Sequence, residues 1–315
     1  MTGAVTRIRG VRLFPGVEGG RALPMVENGC VLVRDGRFLY AGPAEEAFET
    51  KVAEDVDGRG MLLMPALANA HAHSAMTLLR GAGAELPLRD WLFQVIFPLE
   101  RRLDEQSAYA GVMLAAMEYL RCGVTAVNDM YMFPAATARA LGETGLRTLI
   151  SDACVEFGEG ERQLQSALRF HQEYHGSFSG RVRAGVSVHA EYTSTPELVR
   201  RLVKAAEGLN NVVHVHVSET EREVQECFTR HGRSPVRYFH DLGLFSMPAV
   251  AAQCLTVDDD DLNLLARDGV TAALNPVSNL KLGSGTAPVE RMLAHGVRLA
   301  VGTDGASSKD NLDLF

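Results

Sequence analysis

The chain has 315 residues, with 31 basic and 39 acidic side chains and a formal net charge of −8. Hydrophobic residues make up 46% and charged residues 22%, which is the balance of a folded globular protein and not of a disordered chain. The acidic balance argues against a protein that binds nucleic acid through phosphate contacts. No apolar run reaches the roughly 20 residues of a membrane-spanning helix. The length allows one large domain or two of ordinary size.

The amino-terminal residues and the cysteines indicate the compartment. The first residues, MTGAVTRIRGVRLF, contain neither an apolar core of signal-peptide length nor a small-residue cleavage pattern. The cysteine count is odd and no Cys-x-x-Cys pair occurs, which favours reduced thiols over a disulfide framework. These features predict a cytoplasmic protein. The five cysteines are Cys30, Cys122, Cys154, Cys227 and Cys254.

Residues 1–58 have the pattern of short strands joined by turns. Thr6–Phe14 alternates between apolar and polar residues, as a half-buried strand does. Asp35-Gly36, which precedes the apolar run RFLYA, is a strong signal for a two-residue hairpin turn. We predict a small β-rich module, an incomplete β-sandwich, over residues 1–58.

From residue 59 onward, short apolar runs alternate with longer amphipathic stretches. Eight repeats of strand and helix predict a closed (β/α)8 barrel over residues 59–315, close to the roughly 250 residues typical of that fold. The connection over residues 74–123 is the longest, and we expect part of it to form a substrate lid. The predicted strands are Met61–Ala68, Val124–Asn128, Leu146–Asp152, Val182–His189, Val212–Val217, Ala249–Cys254, Val270–Leu274 and Val297–Val301.

Polar residues cluster where these predicted strands end, and such ends converge on one mouth of a barrel. His71 and His73 are two residues apart, so on a strand both imidazoles point the same way. Together with His216 and Asp304 from other strand ends, they form a ligand set suited to one divalent metal, for which zinc is the first choice. Such a metal lowers the pKa of a bound water to about 7 and so provides hydroxide at neutral pH.

Two further residues belong to the same strand end as His216. Glu219 follows it by three residues and is placed to move protons. His214 shares a strand face with His216 but lies one layer deeper, so we predict a buried structural histidine there and not a metal ligand.

Four segments carry a family resemblance. PALANAHAHSAMTLLRG (65–81) resembles the first metal motif of the amidohydrolase superfamily. HVHVSETEREV (214–224), NPVSNLKLGSG (275–285) and VGTDGASSKDNLDLF (301–315) resemble its 5-methylthioadenosine/S-adenosylhomocysteine deaminases and the related triazine and chlorohydrolase enzymes. The resemblance implies a (β/α)8 barrel with a small β-sandwich module.

The resemblance also implies roles for the residues of the site. A single zinc, or ferrous iron in some members, is held by His71, His73, His216 and Asp304. Glu219 passes a proton to the ring nitrogen of the substrate, and Asp304 accepts a proton from the attacking water. Gln253 stands where the family usually carries a histidine that orients this water, so we count it among the catalytic positions.

Four residues match substrate contacts of the family. Glu100 matches an acid that binds ribose hydroxyls, and His189 matches a histidine that contacts the purine. Trp91 matches a tryptophan of the lid, and Arg162 matches an arginine that holds the polar tail of the substrate. Asp152 replaces an arginine that many deaminases carry there, and a carboxylate at this point disfavours an anionic tail.

The leading functional prediction is a metal-dependent hydrolytic deaminase of an aminated purine, a nucleoside or a related N-heterocycle, which releases ammonia. One alternative is a triazine-type chlorohydrolase or another cyclic C–N hydrolase. The other is a metal-binding but catalytically weak homologue, because Gln253 cannot hold a proton at neutral pH. We expect a small-molecule substrate and no nucleic-acid or membrane partner, and relatives are often homo-oligomers. The family continues beyond strand eight, so we also expect a carboxyl-terminal segment to be missing after Phe315.

Overall fold

A computed structural model describes residues 3–156 and 159–315 of the chain. The chain divides into two compact units, Met1–Ala66 and Leu67–Phe315. No helix in the described part combines the length and apolar composition needed to cross a membrane.

The first unit is built around a five-stranded sheet. The strand order in this sheet is β5 (Arg37–Pro43), β4 (Val26–Arg34), β1 (Val5–Leu13) and β6 (Glu54–Asp57). A short fifth strand, β7 (Leu62–Leu63), also pairs with β1. The hairpin predicted at Asp35-Gly36 is confirmed, because Arg34 pairs with Arg37 and both turn residues have positive φ. The strands are β1 (Val5–Leu13), β2 (Val17–Glu18), β3 (Arg21–Ala22), β4 (Val26–Arg34), β5 (Arg37–Pro43), β6 (Glu54–Asp57) and β7 (Leu62–Leu63).

The second unit is a barrel of parallel strands. It consists of two sheets, with the strand orders β11-β10-β9-β8-β16 and β12-β13-β14-β15. Two backbone hydrogen bonds join the sheets: His216 N donates to His189 O at 2.9 Å, and Thr303 N donates to His71 O at 3.1 Å. β15 pairs with β14 and β16 pairs with β8, so these two short segments together form the eighth strand, and the predicted (β/α)8 barrel is confirmed. The strands are β8 (Leu67–His73), β9 (Val124–Met130), β10 (Arg147–Cys154), β11 (Val182–Val188), β12 (Val213–Val217), β13 (Ala249–Gln253), β14 (Thr271–Leu274), β15 (Arg298–Val301) and β16 (Asp304–Gly305).

The bounds predicted for the first barrel strand were wrong. That strand is β8, so His71 and His73 lie within it and not beyond its end. Leu62 and Leu63, which were assigned to the same run, pair instead with β1 of the first unit. One continuous apolar run therefore serves two strands in two sheets, and apolar composition alone does not separate them.

The helices of the second unit cover the strands with their apolar faces. In Pro196–Ala206 the buried residues recur at helical spacing, at Leu198, Val199 and Leu202. The helices are α1 (Leu88–Asp90), α2 (Phe97–Glu100), α3 (Glu105–Arg121), α4 (Pro134–Glu143), α5 (Gly160–Tyr174), α6 (Ser177–Gly180), α7 (Pro196–Ala206), α8 (Glu221–His231), α9 (Pro235–Asp241), α10 (Asp259–Arg267), α11 (Pro276–Lys281), α12 (Val289–Ala294) and α13 (Ala306–Lys309).

The long connection after β8 is largely helical. It contains a 3-10 helix, Ser74–Leu79, and a π-helix, Trp91–Ile96, between α1 and α2. π-Helical turns occur mostly at functional sites, and in this chain Trp91 and Ile96 of the π-helix line the cavity described below.

Candidate metal centre and active-site cavity

Three histidines lie together at the carboxyl ends of the barrel strands. His71 and His73 belong to β8 and His216 to β12, and each offers a ring nitrogen within 4.8 Å of the others. Asp304 Oδ1 lies 3.3 Å from Nε2 of His71 and 3.2 Å from Nε2 of His73. The structure thus brings the four predicted ligand residues to one point, although residue 216 and residue 304 are far from residue 71 in the chain.

The Nδ1 atoms of these histidines are already engaged. His71 Nδ1 lies 2.7 Å from His214 Nε2, His73 Nδ1 contacts Met130 O, and His216 Nδ1 lies 3.1 Å from His189 O. Contacts of this kind fix the ring and the tautomer of metal-ligating histidines.

His71 shows what this arrangement leaves unsatisfied. Its Nε2 is buried and, apart from the 3.3 Å contact with Asp304 Oδ1, has no hydrogen-bond partner among the residues that the structure describes. A buried ring nitrogen that lacks a hydrogen bond is costly in a protein core, and a bound cation removes that cost. Three imidazoles and one carboxylate are also the donor set of a catalytic divalent metal. The residues therefore fit a divalent metal, with His214 held behind His71 and outside the ligand set.

Metal removal is expected to lower stability. At a free metal concentration of about 100 times Kd, binding adds about 2.7 kcal/mol to the free energy of unfolding. This stabilisation is measured as the difference in unfolding temperature with and without a chelator. H216A is expected to abolish that difference. H295A, at a half-buried histidine outside the cluster, is the control and should keep the difference. Equal unfolding temperatures for metal-loaded and chelator-treated wild type would contradict the assignment.

Glu219 lies in the turn that follows β12 and is buried. Its Oε1 accepts a hydrogen bond from Ser284 Oγ at 3.4 Å. Burial, followed by repulsion from the carboxylate of Asp304, raises the pKa of Glu219 well above its usual range. Relative to an exposed glutamate, this environment favours the protonated form, which can donate a proton.

A second glutamate holds this turn in place. Glu223 Oε1 accepts from Ser218 N at 3.0 Å, and its Oε2 accepts from Glu219 N at 2.7 Å. Sequence reasoning did not single out Glu223. The pattern Thr220-x-x-Glu223, which is typical of a helix start, was the signal that could have found it.

A cavity of about 1050 Å³ lies over the histidine cluster and is lined by all the residues predicted to contact substrate. Glu100 lies in it, and burial raises the pKa of this carboxyl. His189 Nδ1 lies 3.1 Å from Thr193 Oγ1. Trp91 Nε1 donates to Ala82 O at 3.0 Å. Arg162 of α5 pairs with Glu159, the residue just before that helix, so this guanidinium already has an anionic partner.

Gln253 lines the cavity, and its side-chain amide also contacts Asp304. Gln253 Nε2 donates to Asp304 Oδ2 at 3.0 Å, and Ser278 Oγ donates to the same oxygen at 2.8 Å. Ser278, Asn275 and Asn279 come from the segment NPVSN, whose individual roles the sequence did not reveal. Tyr131, which also lines the cavity, was likewise not predicted.

The barrel and the histidine–aspartate cluster define a metal-dependent barrel hydrolase. The family model described as "Amidohydrolase family" matches residues 62–315, and the chain belongs to this family. The predicted family membership is thereby confirmed.

Relatives of this chain include enzymes named as deaminases. The chain is 36% identical over 310 residues to a 5-methylthioadenosine/S-adenosylhomocysteine deaminase of Halothermothrix orenii, which covers 98% of this chain and 72% of that enzyme. It is 39% identical over 293 residues to a 5'-deoxyadenosine deaminase of Methanothermobacter thermautotrophicus, covering 92% of this chain and 68% of that enzyme. A crystal structure of an adenosine deaminase from Xanthomonas campestris with bound zinc superposes with a TM-score of 0.92 at 30% identity, over 98% of this chain and 71% of that one.

Proposed function

We propose that this chain catalyses the hydrolytic deamination of an aminated purine carried on a nucleoside. The observation that carries the proposal is the convergence of His71, His73, His216 and Asp304 on one point at the base of a large cavity. The deaminase names of the relatives support it.

The metal we propose is zinc, in line with the zinc in the adenosine deaminase structure. His71, His73 and His216 would hold it through Nε2, and Asp304 through Oδ1. When bound, such an ion acts as a Lewis acid that activates water at neutral pH.

The chain's own residues would then move the protons. We assign to Glu219 the donation of a proton to the ring nitrogen beside the carbon under attack. Asp304 accepts a proton from the attacking water and passes it to the amino group, which leaves as ammonia. Glu219 regains its proton from the new hydroxyl group as the carbonyl forms. Glu100 and His189, which both line the cavity, are assigned to the sugar hydroxyls and the purine, respectively. Trp91 is assigned to the lid, and Arg162 to the outer end of the substrate.

The test is an ammonia-release assay with zinc-reconstituted protein. Adenosine, 5'-deoxyadenosine, 5-methylthioadenosine, guanine and a chlorotriazine are offered in parallel, and the first three are expected to release ammonia. Chloride release from the triazine without ammonia from any purine would favour the chlorohydrolase alternative. Zinc-bound protein that turns over none of the five would overturn the proposal.

Asp152 is expected to select against substrates with an anionic tail. It lines the same cavity, and burial raises the pKa of its carboxyl to about 6. It makes no ion pair within the described ranges 3–156 and 159–315. At neutral pH the group is therefore mostly ionised and repels a carboxylate placed near it.

The variant D152N removes this charge at constant shape. We expect it to raise kcat/KM for S-adenosylhomocysteine relative to 5'-deoxyadenosine by about tenfold, which corresponds to about 1.4 kcal/mol. The same discrimination in the wild type should weaken as the pH falls through about 6, because protonation removes the charge. An unchanged ratio in D152N at pH 8 would show that Asp152 does not face the tail.

A further inference from the structure

The two carboxylate oxygens of Asp304 have separate surroundings. Oδ1 faces the histidine rings, at 3.3 Å from His71 Nε2 and 3.2 Å from His73 Nε2. Oδ2 points the other way and accepts hydrogen bonds from Gln253 Nε2 at 3.0 Å and from Ser278 Oγ at 2.8 Å. Oδ1 also accepts a hydrogen bond from Gly305 N at 3.1 Å, so its direction is set by this backbone contact together with the two groups that hold Oδ2.

The orientation of the Gln253 amide is itself fixed. Its Oε1 accepts two hydrogen bonds, from Asn275 Nδ2 at 3.0 Å and from Asn279 Nδ2 at 2.7 Å. The reverse orientation would set this carbonyl oxygen against Asp304 Oδ2, and an ionised carboxylate has no proton to donate. Gln253, Asn275 and Asn279 are all buried, so a broken contact in this network would not be replaced by bulk water.

These contacts also exclude a second role for Gln253. A carbonyl oxygen has two lone pairs, and both of those on Oε1 are used by the asparagines. Gln253 therefore has no free acceptor with which to take a hydrogen bond or a proton from a water in the cavity. The second N–H of Nε2 can still donate to a group in the cavity, but the side chain cannot serve there as a base.

The backbone at Gln253 and Asp304 is left-handed. Gln253 ends β13 with a φ of 83°, and Asp304 begins β16 with a φ of 60°. Left-handed backbone is unfavourable for residues other than glycine and persists where surrounding contacts enforce it, often at functional sites. Gln253 and Asp304 both adopt it, and they are joined by the hydrogen bond between their side chains.

We propose that Gln253 is a positioning residue that aims Asp304 Oδ1 at the histidine cluster, and that Asn279 and Asn275 fix the Gln253 amide for this task. The proposal rests on the proposed metal site and does not require that the substrate be a purine nucleoside. It replaces the sequence-based assignment of Gln253 as a catalytic residue.

The test compares zinc affinity among variants, measured by competition with a chromophoric chelator on protein that is shown to be folded. Q253L removes the donor to Asp304, and N279L removes a donor to Gln253 without touching Asp304. We expect both to weaken zinc binding by about 10–100-fold, the usual effect of losing a group that orients a metal ligand. Q253H should keep most of the affinity, because a neutral imidazole can donate to Asp304 and accept from Asn279.

The matched control is N211L. Asn211 is also a buried amide, and it bonds both Val186 N at 2.8 Å and Val186 O at 3.0 Å on adjacent barrel backbone. N211L is expected to lower the unfolding temperature and to leave zinc affinity unchanged. If N279L fails to fold, N279S, which is smaller and keeps a polar group, takes its place.

Kinetics on an active substrate give an independent readout. In N279L at saturating zinc, kcat should fall while KM stays within about twofold, since Asn279 is not among the residues that line the cavity. Wild-type zinc affinity in both variants would overturn the proposal, and so would equal weakening in N211L. A failure of the deaminase proposal would leave the affinity results in place, so the two failures are distinguishable.

Discussion

Replacing Glu219 with glutamine is expected to lower kcat for ammonia release by about 10²–10⁴-fold, the usual contribution of a general acid or base. Glutamine keeps the length of the side chain and can still accept from Ser284 Oγ. It cannot transfer a proton to the ring nitrogen. Because Glu219 is not one of the proposed metal ligands, zinc affinity should be close to that of the wild type.

The measurement is steady-state kinetics with zinc content determined on the same samples. E221Q, two residues further along and exposed in the first turn of α8, is the matched control and should retain wild-type kcat. If E219Q keeps more than half of the wild-type kcat, Glu219 does not act as the proton donor. A loss of zinc together with activity would instead assign Glu219 a structural part in the metal site.

The largest effect on stability is expected from Arg230→Ala. Glu191 is almost fully buried. Arg230 donates two hydrogen bonds to its carboxylate, from Nε to Oε1 at 3.0 Å and from Nη2 to Oε2 at 2.6 Å. Removing one partner of a buried ion pair leaves an uncompensated charge and costs about 3–5 kcal/mol. Arg230 is itself 38% exposed, so we expect a smaller loss of about 2–3 kcal/mol in the free energy of unfolding.

Such a loss corresponds to a fall of roughly 5–10 °C in Tm for a domain of this size. R222A is the control on the same helix, because Arg222 and Glu226 form an exposed pair that contributes less than about 0.5 kcal/mol. Thermal unfolding of the three proteins decides the question. If R230A and R222A unfold at the same temperature, then His231, which lies 2.9 Å from Glu191, is sufficient to neutralise that carboxylate.

Much of the fold followed from local sequence patterns. The barrel strands other than the first were predicted to within about three residues at either end, because short buried runs of Val, Ile and Ala alternate regularly with amphipathic helices. The first strand was placed too early, since Leu62 and Leu63 are as apolar as the strand that follows. Which sheet they join depends on β1, and no local pattern encodes that partner.

The sequence by itself determined which residues supply the proposed metal site. A His-x-His pair on a strand points to one side, and parallel strands bring their carboxyl ends to one rim. Only the tertiary structure decided what holds those residues. Asn69 bonds Thr303 through both its amide atoms, at 2.7 and 3.0 Å, and so joins β8 to the segment before Asp304.

The same holds for the partners of Asp304 Oδ2. Gln253 and Ser278 belong to different strand–helix units, and the sequence indicated only that Gln253 departs from the family pattern. Whether that glutamine meets a water, a substrate or a carboxylate depends on packing between segments that are distant in the chain. The physical reason is that side-chain hydrogen bonds in a barrel core are set by the closure of the sheet, which no local pattern specifies.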